Sequence, residues 1–241
     1  EALRIVGIDK SISVTFNADS PAGTGLGSSG ACAVGLLNGL YTLKGEHKEP
    51  SFLAEKAFEI TRRLGGDWPQ DGKQDPYLAA HGGFTLLYIK KDGTVEVSKP
   101  RFKEETVQKF LKNTLLFYTG QVREGRSQDI LKDQDNQKAY DAKEMTKEIG
   151  KAVLQAFYAG DMDAFGKLLD EHWRLKKQMS NKISNENFDL MYEIAKNNGA
   201  LGGKNVGAGG GGYFLFYCPD DESIRNVSEA MRMGGWYRVP M

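Results

Sequence analysis

The sequence predicts a mixed α and β fold, and three observations predict it. Residues 11–18 alternate, with Ile12, Val14, Phe16 and Ala18 on one side, as a half-buried strand does. They run into a glycine-rich turn, Pro21-Ala22-Gly23-Thr24-Gly25-Leu26-Gly27-Ser28-Ser29-Gly30, which opens onto a helical pattern of Ala33, Leu36, Leu37, Leu40 and Leu43. Near the other end a second glycine cluster, Gly207-Ala208-Gly209-Gly210-Gly211-Gly212, leads straight into the apolar strand pattern of residues 213–217.

The remaining elements follow in order. Residues 1–7 read as the end of a helix entering a turn at Gly7. Ser51 is placed to cap a helix whose buried face is Leu53, Ala57, Ile60 and Leu64, and Gly65-Gly66 should stop it. A loop with Asp67, Trp68, Pro69 and Asp71 precedes Gly72-Lys73-Gln74-Asp75-Pro76-Tyr77. Residues 84–89 and 94–97 form a hairpin across Lys91-Asp92-Gly93. A short amphipathic helix at 104–112 leads into a buried strand at 114–118 and the turn Thr119-Gly120-Gln121-Val122-Arg123. Two long helices follow, one carrying Met145, Ile149, Val153, Ala156 and Phe157, the other capped by Asp161 and carrying Phe165, Leu168, Leu169 and Trp173. Lys176 and Lys177 read as a solvated helix end, where cations suit the dipole. Further helices are expected near 187–196 and 221–231.

Composition narrows the function classes. A chain of 241 residues allows one large domain or two modest ones. The 32 basic and 32 acidic residues cancel, so no net field favours nucleic acid or an anionic membrane. No apolar run reaches spanning length and no signal peptide opens the chain, which makes the cytoplasm the expected compartment. Cys32 and Cys218 are expected to be buried thiols, and no His/Cys cluster has zinc spacing.

The first glycine turn points to an anion. Unpaired N–H groups and the positive end of a helix dipole meet there, and glycines let the backbone approach oxygen closely. Ser28 and Ser29 add hydroxyls suited to phosphate or metal. The loop is neither a Walker loop, lacking Gly-Lys-Ser/Thr, nor a dinucleotide fingerprint. Four consecutive glycines in the second cluster call for close backbone approach, to a phosphate or to the first loop. Asp75 suits either an Asx turn or a base beside an acceptor hydroxyl, and Lys73 could lower its pKa or stabilise transferred charge. His47, His81 and His172 are read as structural.

Taken whole, Pro21-Ala22-Gly23-Thr24-Gly25-Leu26-Gly27-Ser28-Ser29 resembles the ATP loop of the GHMP small-molecule kinases. Gly72-Lys73-Gln74-Asp75 with Gly82-Gly83, Tyr118-Thr119-Gly120, Trp173-x-x-Lys176-Lys177-x-Met179, Ile183-Ser184-Asn185 and Gly199-Ala200-x-Gly202-Gly203-Lys204 extend the likeness over nearly the whole chain. They resemble most the branch of D-glycero-D-manno-heptose 7-phosphate kinases and fucokinase domains. The resemblance implies an α+β chain: a ribosomal protein S5-like N-terminal domain over 1–105, incomplete at its start, then a ferredoxin-like domain over 106–241. It implies nucleotide at their junction, with Pro21, Gly23, Thr24, Gly25, Leu26, Gly27, Ser28 and Ser29 holding ATP and Ser29 ligating Mg²⁺. It makes Asp75 and Lys73 catalytic and assigns Arg123, Lys204, Gly207, Gly209 and Gly210 to the substrate, a small sugar or sugar phosphate. For Arg123 and Lys204 a solvated surface cation stands as the equal alternative. A homodimer is left open.

Three departures qualify the resemblance. The family opens with a strand and a Gly-Gly-Gly-Thr-Asp-type motif that this chain lacks, so the chain is expected to be truncated and to expose a sheet edge. Thr61 stands where a Mg²⁺-binding glutamate is expected, with Glu59, Asp67 or Asp71 as substitutes. Residues 67–71 look inserted, and Pro76 replaces a polar residue. The leading expectation is an ATP-dependent kinase acting on the anomeric hydroxyl of a heptose 7-phosphate. The alternatives are a fucokinase-like or other sugar-1-kinase, and a nucleotide- or sugar-binding module without catalysis.

Overall fold

The computed structural model describes residues 1–9, 11–64, 72–123, 130 and 132–240. The chain divides into two compact units, Glu1–Ala22 with Gly27–Arg101, and Gly23–Leu26 with Phe102–Met241. The first glycine turn is therefore shared out: residues 23–26 belong with the second unit and residue 27 onward with the first.

The first unit is built on helices. α1 (Ala2–Val6) closes on Gly7, whose left-handed φ of 71° ends it. α2 (Ser28–Leu43) starts after Gly27, also left-handed at φ 69°. α3 (Pro50–Leu64) begins with proline, whose missing N–H is harmless in a first turn. Its start differs from the expected Ser51 cap: Ser51 lies inside the helix, and its Oγ meets His81 Nε2 at 3.0 Å. α4 (Gln74–His81) follows. Ala33, Leu37, Leu40, Leu53, Ala57 and Ile60 lie in the core, as the periodicity predicts, joined by Val6 and Val34, while Leu43 and Leu64 at the helix ends are exposed. Cys32 corrects its expectation, being exposed on α2.

A hairpin completes this unit. β1 (Leu86–Ile89) pairs antiparallel with β2 (Val95–Ser98), Ile89 opposite Val95. Gly93 turns at φ 84°, and Asp92 Oδ1 accepts from Thr94 N at 2.9 Å. The strand expected at 11–18 is absent: these residues pair with no strand among the described residues, and Val14 and Phe16 are exposed. Alternation selects a face, but a strand forms only against a neighbouring edge. Residues 65–71, with the expected Gly65-Gly66 stop and the Asp67–Asp71 loop, lie outside the described residues.

The second unit is a sheet under helices. α5 (Glu104–Asn113) leads into β3 (Thr114–Tyr118). Then come α6 (Gln137–Ala159), α7 (Met162–Met179) and α8 (Glu186–Asn197). β4 (Gly202–Asn205), β5 (Tyr213–Tyr217), α9 (Asp221–Met233) and β6 (Arg238–Val239) follow. The sheet order is β4-β5-β3-β6, every pair antiparallel. Helices separate β3 from β4 and β5 from β6, so this is the βαββαβ ferredoxin-like pattern with an enlarged first crossover. Asn136, Asp161, Asn185 and Asp220 cap four of its helices, each accepting the backbone N–H three residues on. The core gathers Leu115, Phe117, Phe214, Phe216, Trp173, Met191, Val227 and Met231. Phe214 stacks on Phe216 at 4.9 Å and takes the Trp173 edge at 5.0 Å.

β4 was not evident in the sequence, because Gly202-Gly203 is poor strand material. Tertiary packing selects it. A side chain on Gly202 would sit 2.6 Å from Asp170 N, and one on Gly166 would sit 2.6 Å from the Tyr217 ring. α7 thus lies with its backbone nearly on β4. Among the described residues no helix is long and apolar enough to cross a membrane.

Candidate active site

In the first unit, the start of α2 is packed on the start of α4. A Cβ on Gly27 would lie 3.3 Å from Cβ and Cγ of Asp75. One on Gly30 would lie 2.9 Å from Pro76 N and 3.0 Å from the Asp75 carbonyl carbon. Two bare positions one turn apart therefore admit the Asp75–Pro76 backbone and set the Asp75 carboxyl beside the α2 N-terminus. The first α2 bond runs from Ala31 N to Gly27 O at 3.0 Å, so the N–H groups of Ser28, Ser29 and Gly30 stand outside the helical ladder. Ser29 is exposed and Ser28 half-buried.

Helix α4 is held in register by its other face. Lys73, Tyr77 and His81 recur every fourth residue. Lys73 Nζ donates to Glu55 Oε1 at 2.6 Å and to Gly93 O at 2.7 Å. Tyr77 OH donates to Glu55 Oε1 at 2.6 Å, and His81 stacks on Tyr77 while meeting Ser51. Burial, then the Glu55 bond, raises the Tyr77 pKa well beyond its ordinary value, so the phenol stays a donor. Burial, then Lys99, lowers that of His81. Asp75, two positions from Lys73, lies about 200° round the helix from this latch. Lys73 was expected to act on Asp75 or on transferred charge; its ammonium is bonded to Glu55 and to the hairpin turn.

In the second unit, residues 23–26 rest on the second glycine cluster. A Cβ on Gly25 would sit 2.5 Å from Val206 O, and one on Gly207 would sit 2.5 Å from Gly25 Cα. One on Gly212 would fall inside the Thr24 carbonyl. Two stretches of bare backbone thus lie in contact, which no other residue type allows at φ 80° and 70°. Hydrogen bonds shape the cluster. Gly212 N donates to Gln121 O at 2.8 Å, Thr119 Oγ1 donates to Gly212 O at 2.8 Å, and Gly210 N donates to Ile183 O at 3.1 Å. Asn205 Nδ2 donates to Gly211 O and Tyr213 O at 3.1 and 3.0 Å, closing the loop. Arg123 N donates to Gly23 O at 3.4 Å, and its Cγ is 3.4 Å from where a Cβ on Gly210 would be.

The cations here correct two expectations. Lys176 is not a solvated helix end: it is 6% exposed, and its ammonium donates to Asn205 O at 2.8 Å and Gly207 O at 2.6 Å. Burial, then Lys204 and Arg123, holds its pKa well below the ordinary lysine value. Lys204 is not a solvated surface cation either. Burial brings its pKa down to about 8, and Nζ lies 3.4 Å from His172 Nδ1. Burial, then Lys204 and Lys176, pushes His172 down to about 3, so it faces Lys204 as neutral imidazole. Lys177 alone fits the solvated reading, pairing with Asp189 at 3.0 Å.

Residues 1–83 match the family model of the GHMP kinases N terminal domain, and residues 153–234 match that of the GHMP kinases C terminal. The chain belongs to the GHMP kinase family. The D-glycero-alpha-D-manno-heptose 7-phosphate kinase of Campylobacter jejuni is 30% identical over 228 residues, covering 92% of this chain and 65% of that protein. A bifunctional fucokinase/GDP-fucose pyrophosphorylase of Arabidopsis thaliana is 26% identical over 224 residues, 89% of this chain and 20% of that one. The crystal structure of a sugar kinase from Campylobacter jejuni superposes with TM-score 0.69 at 25% identity, over 92% of this chain and 62% of the other. A mevalonate kinase superposes with TM-score 0.72 over 99% and 71%; at 16% identity that likeness speaks for the fold alone. The GHMP chain thus spans 65% of the length of the heptose kinase it matches.

Two groups that GHMP kinases imply can be tested against the residues of this chain. In the first unit, the bare backbone at Gly27 and the N–H groups outside the helical ladder at the α2 N-terminus fit polyphosphate oxygens. For a divalent cation the exposed Ser29 hydroxyl at the start of α2 is the candidate protein ligand, and a single hydroxyl fits Mg²⁺ that keeps the rest of its shell as water and phosphate oxygen. Among the described residues no group of three or more His, Cys, Asp or Glu could hold a metal. Thr61 Oγ1 donates to Phe58 O at 3.0 Å, and Glu59 pairs with Lys56 and Arg63, so both are engaged within α3. Asp67 and Asp71 lie outside the described residues. Sequence reasoning missed Lys176, Asn205 and Thr119. Thr119 and Lys176 lie inside the motifs above, but what all three hold are backbone carbonyls, which carry no sequence signature.

Proposed function

We propose that the chain is the phosphoryl-transfer core of an ATP-dependent sugar kinase. Its acceptor is a heptose 7-phosphate, by analogy with the Campylobacter jejuni relative, and the hydroxyl we assign as phosphorylated is the anomeric one. ATP supplies the γ-phosphoryl group. Residues 21–29 bind its phosphates through backbone N–H groups and the Ser28 and Ser29 hydroxyls. Ser29 is the proposed protein ligand of Mg²⁺. Asp75 accepts the proton of the acceptor hydroxyl, which becomes the better nucleophile as it loses that proton. Lys73, Tyr77 and Glu55 keep Asp75 in place by locking α4 to α3. Arg123, Lys204, Gly207, Gly209 and Gly210 are assigned to the acceptor, the two cations to its phosphate. A cation that loses hydration on folding is compensated by an anionic ligand, and the burial of Lys204 supports that role.

One observation carries the reading: Gly27 and Gly30 give up their side chains to Asp75, which brings a carboxyl to a helix N-terminus built for anions. The test is ADP release with Mg-ATP and a panel of sugars and sugar phosphates. Release that depends on a heptose 7-phosphate supports the reading. Release with fucose instead favours the fucokinase-like alternative, to which the Arabidopsis relative lends support. ATP binding without release under any acceptor favours a binding module, for which Thr61 in place of a carboxylate is the motivating observation.

A further inference from the structure

We propose that Lys176 is a positioning residue of the phosphate site: its ammonium clamps the second glycine cluster from behind and charges it for an anion on its other side. The proposal rests on the kinase reading above and adds a residue to its machinery. Three observations carry it.

The first is geometric. Lys176 donates to Asn205 O and Gly207 O, the carbonyls on either side of Val206. Val206 O and Gly207 Cα are the atoms that Gly25 would strike if it had a Cβ. The clamp therefore fixes the two residues on which residues 23–26 are seated. Glycines cannot hold a loop by packing, so the constraint has to come from outside them.

The second is placement. α7 approaches β4 backbone to backbone at Gly166 and Gly202, and Lys176 lies ten residues further along α7. That close approach lets a side chain at the helix end reach one carbonyl at the end of β4 and one just past it. A shorter or apolar residue at 176 would leave two converging carbonyls without this donor in a buried setting.

The third is electrostatic. The two bonded partners of Lys176 are neutral carbonyls, and the nearby groups acting on it are the cations Lys204 and Arg123. Burial and like charge both disfavour such an ammonium. An anion on the glycine cluster reverses the sign of that balance. This is the arrangement expected where stability is given up for ligand binding.

The experiment compares Lys176→Met and Lys176→Arg with the control Lys177→Met, whose parent residue pairs on the surface with Asp189. Amide hydrogen exchange over residues 205–212 and binding of ATP and of adenosine are measured for each. Lys176→Met should speed exchange in 205–212 and weaken ATP about tenfold or more, the loss expected of a charge-assisted bond, with adenosine changed less than about twofold. Lys176→Arg should stay closer to wild type on both readouts, and Lys177→Met should match it. Unchanged exchange at 205–212, or equal losses for ATP and adenosine, overturns the proposal. If Lys176→Met does not fold, Lys176→Gln takes its place: faster exchange over 205–212 with ATP weakened more than adenosine supports the clamp, and wild-type exchange there overturns it. A wild-type protein that binds no ATP overturns the kinase reading, and the exchange comparison still upholds or overturns the clamp.

Discussion

Asp75 and Lys204 show how differently two polar residues can be held. Asp75 is exposed, and what defines it is the space that Gly27 and Gly30 leave. Asp75→Asn should lower kcat by about 10²–10⁴ while ATP affinity stays within a few-fold, read by ADP release and nucleotide titration. An equal loss of ATP affinity would move Asp75 to the metal or the fold. Lys204 is defined by burial. Its folded pKa of about 8 lies below its unfolded value, so between those two pH values the unfolded state binds more protons and stability rises with pH. At pH 7 the full penalty is present. Lys204→Met should therefore raise Tm by about 3–6 °C at pH 7, with the gain shrinking as pH rises past 8, while weakening binding of a sugar phosphate. His172 adds a second window by the same sign. Depressed from its ordinary 6.5 to about 3, it contributes stability that is complete above 6.5 and lost as pH falls towards 3. A His172→Gln variant, which keeps a neutral acceptor facing Lys204, should flatten that acid limb in a pH series of melts.

At the scale of elements, glycines decide which backbones touch. Gly120 and Gly207 are both left-handed, at φ 76° and 70°. A Cβ on Gly120 would meet nothing, whereas one on Gly207 would meet Gly25 Cα at 2.5 Å. Gly120→Ala should thus lower stability by about 1 kcal/mol through backbone strain alone. Gly207→Ala should lower it by about 2–4 kcal/mol, the excess measuring the seat of residues 23–26 on the cluster. Urea midpoints at constant m-value give both numbers. Equal losses would mean that the loop shifts aside freely. The α3–α4 latch belongs to the same scale: Glu55 takes both Lys73 and Tyr77, so one carboxylate fixes the helix that carries Asp75.

At the scale of the molecule, the second unit carries its own sheet, helices and aromatic core, and it borrows only residues 23–26 from the early sequence. A fragment of residues 102–241 should therefore unfold cooperatively, with a lower midpoint than the full chain because the glycine cluster loses the segment seated on it. Broad, non-cooperative melting by calorimetry would show that the core is not self-sufficient. The first unit has a smaller core of helices and a two-stranded hairpin.

Much of this was readable from residue order alone. The long helices, the cap at Asp161, the glycine-rich entry to α2, the hairpin turn at Asp92-Gly93 and the buried run of β5 follow from periodicity, capping chemistry and left-handed turns, all of which act over a few residues. Tertiary structure alone decided that 11–18 pairs with nothing described, that Gly202-Gly203 becomes a strand, that Lys73 turns to Glu55, and that Lys176 is buried. The reason is common to all four. A strand needs an edge to pair with, and a long amphipathic side chain goes to whichever acceptor the fold brings within reach; both are supplied by residues distant in the chain.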